Sequence, residues 1–170
     1  MQIREFISLC QEKHLDELFK FLRFPSISTD PASKQGILDC ANFLNHELKR
    51  LGCEKVQTLD TPGHPIVYAE RTLDPSFPTI LVYGHYDVQP AKVSDGWDTD
   101  PFEPVIKNDK IFARGAADDK GQVWLQLKAL EYFNEYASGD LKVNLKFLYE
   151  GEEESGSENL DNFIIENKQM

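Results

Sequence analysis

Residues 79–83 read Thr-Ile-Leu-Val-Tyr, with apolar side chains at consecutive positions. A strand turns successive side chains to opposite faces. A run of this kind therefore needs cover on both sides of its sheet, as a central strand of an α/β protein has. The helical cover is legible around it. Leu15, Leu18, Phe19 and Leu22 share one face of a helix predicted from Ile3 to about Arg23, stopped by Pro25. Ile37, Ala41, Leu44, Leu48 and Leu51 recur every three or four residues in a second helix, from about Ser33 to Leu51, with Gly52 as its C-cap. Strands are predicted over Cys53–Leu59 and Ile66–Glu70, and a short one over Lys110–Ala113 after a loop-rich stretch at 91–108. A third helix runs from near Lys120 to about Tyr136, with Val123, Leu127, Leu130 and Phe133 inward and Gly139 closing it. Strand Lys142–Tyr149 sets Val143, Leu145, Phe147 and Tyr149 on one face. A fourth helix spans Asn159–Asn167, with Ser157 as N-cap. This order predicts an α/β three-layer sandwich, a mostly parallel or mixed sheet with flanking helices.

Charge narrows the function classes. The 170 residues carry 29 acidic and 18 basic side chains, a net charge of −11. A field of that sign repels nucleic acid and anionic membrane surfaces, so neither is an expected partner. No stretch approaches the roughly 18 apolar residues of a membrane span. The first residues are charged throughout, unlike a secretory signal. Cys10, Cys40 and Cys53 are odd in number and lack metal-ligand spacing, so they read as reduced thiols. The cytoplasm is the expected location.

Three polar clusters sit at strand ends or helix starts. In GHYDVQP, residues 84–90, His85 and Asp87 are two apart and project to one side of an extended backbone. A ligating histidine commonly has such a carboxylate behind it; a capped surface histidine is the plainer account. In ARGAADDKG, residues 113–121, Asp118 and Asp119 precede a helix between Gly115 and Gly121. They read either as charges favoured by the helix dipole or as a carboxylate able to bridge two cations. In EGEEESGS, residues 150–157, four glutamates fall within five residues. A solvated acidic loop explains them, and so does a cation that offsets their repulsion, with one of Glu153 and Glu154 ligating and its neighbour taking a proton. Histidine with carboxylates suits zinc, manganese or cobalt. The HExxH, GxSxG and GxxxxGK motifs are absent.

LVYGHYDVQP, DGWDTDPFEP, ARGAADDKG and FLYEGEEESGS, in this order, resemble the M20 metallopeptidase family (M20/M25/M40), most closely its dipeptidase, carnosinase-like branch. The resemblance implies a zinc-peptidase-like fold and a site for two divalent metal ions, zinc or else manganese or cobalt. It implies that His85 binds the first ion, Asp118 bridges both and Glu154 binds the second. Glu153 becomes the general base and Asp87 the residue that orients His85. The Asp118–Asp119 peptide resembles one that is cis in the family. The substrate implied is a dipeptide or short peptide. The alternatives are an N-acyl amino-acid deacylase, a succinyl-diaminopimelate-type amidohydrolase, or a non-catalytic metal-binding module. Family members are longer, so residues 1–170 match the N-terminal portion of a catalytic domain that is incomplete at its C-terminus. An inserted dimerisation or lid domain, through which a homodimer would form, lies outside them. So do two further ligands, a downstream carboxylate and a late histidine. The 170 residues alone are expected to bind metal weakly and to hydrolyse little. His14, His46 and His64 fall outside the motifs and are expected to cap or solvate local structure.

Overall fold

The computed structural model describes residues 1–137 and 139–170. Helix α1 (Ile3–Leu22) ends just before Pro25. A short 3₁₀ turn at Pro31–Ser33 follows, capped by Asp30, whose side chain accepts the Ala32 N–H at 2.9 Å. It leads into α2 (Lys34–Arg50). Gly52, at φ +75°, takes the left-handed conformation that closes α2. Strands β1 (Glu54–Leu59), β2 (Ile66–Arg71) and β3 (Thr79–His85) come next. The loop-rich stretch ends in a separate hairpin of β4 (Val105–Lys107) and β5 (Lys110–Phe112). Then come α3 (Lys120–Tyr136), β6 (Asn144–Glu150) and α4 (Leu160–Glu166).

The main sheet has the order β1-β2-β6-β3. β1–β2 and β2–β6 are antiparallel, whereas β3 and β6 run parallel, from the pair Thr79↔Asn144 to His85↔Glu150. Alternation then sorts the side chains. Val67, Ala69, Phe147 and Tyr149 pack with Phe21, Ile37, Leu44, Leu48, Trp124 and Leu127, so α1, α2 and α3 cover one face. Ile66 and Leu148 turn the other way and meet Phe163 of α4. The fold is therefore α/β with a mixed sheet between helices. Among the described residues, no helix is long and apolar enough to cross a membrane. Cys10, Cys40 and Cys53 are free thiols.

Two expectations are corrected. In the described sheet β3 is an edge strand, not a central one, and Ile80, Leu81 and Tyr83 are 47, 59 and 44 % exposed. β2 and β6 hold the interior positions, and the seven-residue α4 packs through Phe163 on Ile66 of β2 and Leu148 of β6, with Leu59 of β1 beside them. Ser157 is not the N-cap of α4; Asn159 is. Ser157 sits at φ +52° and donates its hydroxyl to Glu150 Oε1 at 2.9 Å.

The three helices over the large core are also joined by charge. The Glu131 side chain on α3 is 1 % exposed. It accepts from Lys13 of α1 at 2.7 Å, Arg50 of α2 at 3.0 Å and Lys128 at 2.5 Å. Burial opposes its ionisation, but the three cations outweigh burial and bring its pKa down to about 2.

Candidate metal centre

Because β3 and β6 are parallel neighbours, their C-terminal ends deliver His85 and Glu150 side by side. This is the edge of a parallel pair at which α/β sheets place ligands. Beyond Glu150 the chain turns through a 3₁₀ segment, Glu153–Ser155. The start of α3 brings Asp118 to the same place.

His85 is the hub. It is 5 % exposed. Its Nε2 lies 3.0 Å from Asp118 Oδ1 and 3.8 Å from Glu153 Oε2. Its Nδ1 lies 3.1 Å from the Asp87 carbonyl oxygen and 3.3 Å from Asp87 Oδ1. Its backbone N–H donates to Asp119 Oδ2 at 3.1 Å. Burial disfavours a charged ring, but Asp87 and Asp118 outweigh it and push the His85 pKa up to about 9. Burial also raises the Asp119 pKa from its ordinary value.

Asp87 does more than face the ring. It is fully buried, and its two oxygens accept the N–H groups of Glu153 at 3.2 Å and Glu154 at 3.0 Å. One side chain thus ties the histidine to the turn that carries both glutamates. Glu154 points elsewhere than Glu153: its carboxylate is bonded to the Gln89 amide at 2.8 Å. Glu150 is a packed carboxylate, 2 % exposed, that accepts from Tyr83 at 2.5 Å and Ser157 at 2.9 Å. Burial raises its pKa while those two bonds pull it back.

The approach of Asp118 is fixed from behind. Lys120 is fully buried and donates to the carbonyls of Phe24 at 2.7 Å and Phe21 at 3.3 Å, which pins the start of α3 to the end of α1. The Asp118–Asp119 peptide is cis. A side chain on Gly121 would overlap the Ala116 carbonyl. Gly121→Ala is therefore expected to cost about 2 kcal/mol, seen as a lower urea midpoint; an unchanged midpoint would show that the turn yields.

These donors fit a divalent cation. Asp87 holds the Nδ1–H, so a cation that displaces the Nε2 proton meets the lone pair of that nitrogen with carboxylates beside it. A second cluster is tighter but unsuitable. Among the described residues, only His14, Glu17 and Glu131 bring three such ligand atoms within 4.8 Å of one another. There Glu131 is already bonded to three cationic side chains, which repel a metal ion. His14 is thus not a solvated residue. It packs edge-on against Phe6 with ring centroids 5.2 Å apart, and burial, then Lys128, lowers its pKa. His64 does bond locally, to the Ser28 carbonyl at 2.9 Å, and His46 is exposed.

The family model described as Peptidase family M20/M25/M40 matches residues 81–169, which carry every one of these polar clusters. The chain belongs to this family. Cys-Gly metallodipeptidase dug1 of Schizosaccharomyces pombe is 35 % identical over 96 % of this M20-family chain and 36 % of its own length. The crystal structure of human carnosine dipeptidase 1 superposes with a TM-score of 0.90 at 34 % identity, covering 96 % of this chain and 37 % of that one. Dug1p of Saccharomyces cerevisiae, described as a di-peptidase, superposes at 0.84 with 35 % identity, over 93 % and 36 % of the two chains. This M20-family chain thus spans little more than a third of the length of these relatives. The α/β fold with a mixed sheet is shared with them. Three residues of the centre went unassigned by sequence reasoning. Gln89 lies inside GHYDVQP, and Asp119 and Lys120 lie inside ARGAADDKG, so the motifs held them. Nothing in their spacing announced the remote partners they bind.

Proposed function

We propose that residues 1–170 form the N-terminal portion of the catalytic domain of a metal-dependent dipeptidase. The full-length protein would cleave the amide bond of dipeptides or short peptides, with an inserted domain and the remaining ligands in sequence outside these residues. The observation that carries the reading is His85 Nε2 standing between the Asp118 and Glu153 carboxylates, with Asp87 behind the ring. His85 is assigned to the first ion, Asp118 to both and Glu154 to the second; the ions are zinc, or manganese or cobalt. His85 and Glu154 would then serve different ions and need not touch.

When bound, the ions acidify water and stabilise the oxyanion that forms on the amide. The chain's own residues do the rest. Asp87 holds the His85 ring in one tautomer and keeps the Glu153–Glu154 turn at a fixed distance from it. The Glu153 side chain, 45 % exposed, is open to accept a proton from water and pass it to the leaving amine. The free thiols and the acidic surface accord with a cytoplasmic protein.

The test is hydrolysis of Cys-Gly and β-Ala-His by the polypeptide made from the whole reading frame, with Zn²⁺, Mn²⁺ or Co²⁺ and with chelator. Metal-dependent release of amino acids is expected; turnover indifferent to chelator, or none with any metal, sinks the reading. The two histidine clusters are separable in the same way. His85→Ala is expected to weaken zinc binding by at least about a hundredfold, and His14→Ala to leave it unchanged, as measured by calorimetry. The reverse outcome would move the metal to the α1–α3 cluster.

A further inference from the structure

We infer that Gln89 is a positioning residue for Glu154, orienting it toward a divalent cation without neutralising it. Gln89 is exposed on the strap that leaves β3. Its Nε2 donates to the Glu154 carbonyl at 3.2 Å and to Glu154 Oε2 at 2.8 Å. One amide group thus spans the main chain and the carboxylate of a single residue, which removes the freedom of the torsions between them. The N–H of Glu154 is held from inside by Asp87 at 3.0 Å. Glu154 is therefore gripped at its N–H, its C=O and one carboxylate oxygen, and Oε1 is left as the oxygen a cation would take.

The chemistry of the donor matters. A carboxamide carries no charge. It directs the carboxylate yet leaves its full negative charge for a metal ion, whereas a lysine or arginine there would form an ion pair and compete. Outer partners of this kind set ligand orientation and basicity. The inference rests on the reading of Glu154 as a ligand, so the experiment tests the two separately.

Zn²⁺ is titrated into the full-length protein by calorimetry and Co²⁺ by visible absorption. Gln89→Met keeps the length of the side chain and removes the donor. It is expected to raise the zinc Kd about tenfold to a hundredfold and to weaken the cobalt bands. Gln89→Lys keeps a donor but adds a charge, and is expected to raise the Kd further. Because Gln89 is exposed, melting temperatures are expected to stay within about 2 °C of the parent. Adding Gln89→Met to Glu154→Gln is expected to cause no further loss, because the first acts only through the second. If Glu154→Gln weakens binding and Gln89→Met does not, the positioning role is wrong while the ligand stands. Losses that simply add place Gln89's effect elsewhere and overturn the inference. If Glu154→Gln changes nothing, or the unaltered protein takes up no metal, the ligand reading falls and this inference with it.

Discussion

Glu131→Gln is expected to lower the stability of the protein by about 3 kcal/mol at neutral pH and its melting temperature by roughly 10 °C. The carboxylate is almost wholly buried and bonded to Lys13, Arg50 and Lys128, one from each of the helices that roof the sheet. Neutralising it leaves three cations with only the Glu17 and Glu47 carboxylates between them, and Lys128, only 8 % exposed, cannot turn out to water. The pH dependence fixes the sign. The Glu131 pKa falls from 4.5 to about 2 on folding, because the cations outweigh its burial. A lowered carboxyl pKa contributes stability that is complete above 4.5 and is lost as pH falls toward 2. A shift of that size corresponds to about 3 kcal/mol, an upper figure, since Lys13 is half exposed and solvent screens its share. Urea midpoints of parent and variant, measured from pH 7 to pH 2, should therefore converge at the acid end. A variant as stable as the parent at pH 7, with the same acid slope, would show that the network contributes nothing net.

That network also marks a limit of sequence reasoning. Lys128 and Glu131 are visibly neighbours on one helix turn, but Lys13 and Arg50 are 118 and 81 residues away from Glu131. Helical periodicity reveals which face is buried and says nothing of which charges meet across it. β3 has the same history. Its apolar run was legible as a strand, and its two-sided hydrophobicity suggested the middle of a sheet. Alternation reports faces, however, not neighbours, and in the described sheet the interior places go to β2 and β6. The helices fared better, because Pro25 and Gly52 act through local backbone geometry that no tertiary contact overrides. Ser157 shows where a local rule does yield: its hydroxyl is drawn to Glu150, and Asn159 takes the cap. At the candidate metal centre, the two-residue step from His85 to Asp87 was readable from strand geometry. The grip of Asp87 on the N–H groups of Glu153 and Glu154 was not, because it closes over 66 and 67 residues.

That grip shapes what Glu153→Gln should do. In the full-length protein the substitution is expected to lower kcat by about 10²–10⁴-fold while zinc affinity changes little. Asp87 bonds to the Glu153 N–H, not to its side chain, so the turn keeps its place when the carboxylate becomes an amide. The Glu153 carboxylate is 3.8 Å from His85 Nε2, farther than Asp118, and the amide is nearly its equal in size. What glutamine lacks is the ability to take and return a proton. The loss should therefore fall on kcat and not on KM, and dialysed variant protein should hold as much zinc as the parent. By contrast, Asp87→Asn would loosen the clasp in either orientation, because an amide nitrogen in place of Oδ1 faces both the His85 ring and the Glu153 N–H, and in place of Oδ2 it faces the Glu154 N–H. If Glu153→Gln lost its zinc yet still turned over substrate, the two adjacent glutamates would have to exchange roles, with Glu153 on the metal and Glu154 as the base.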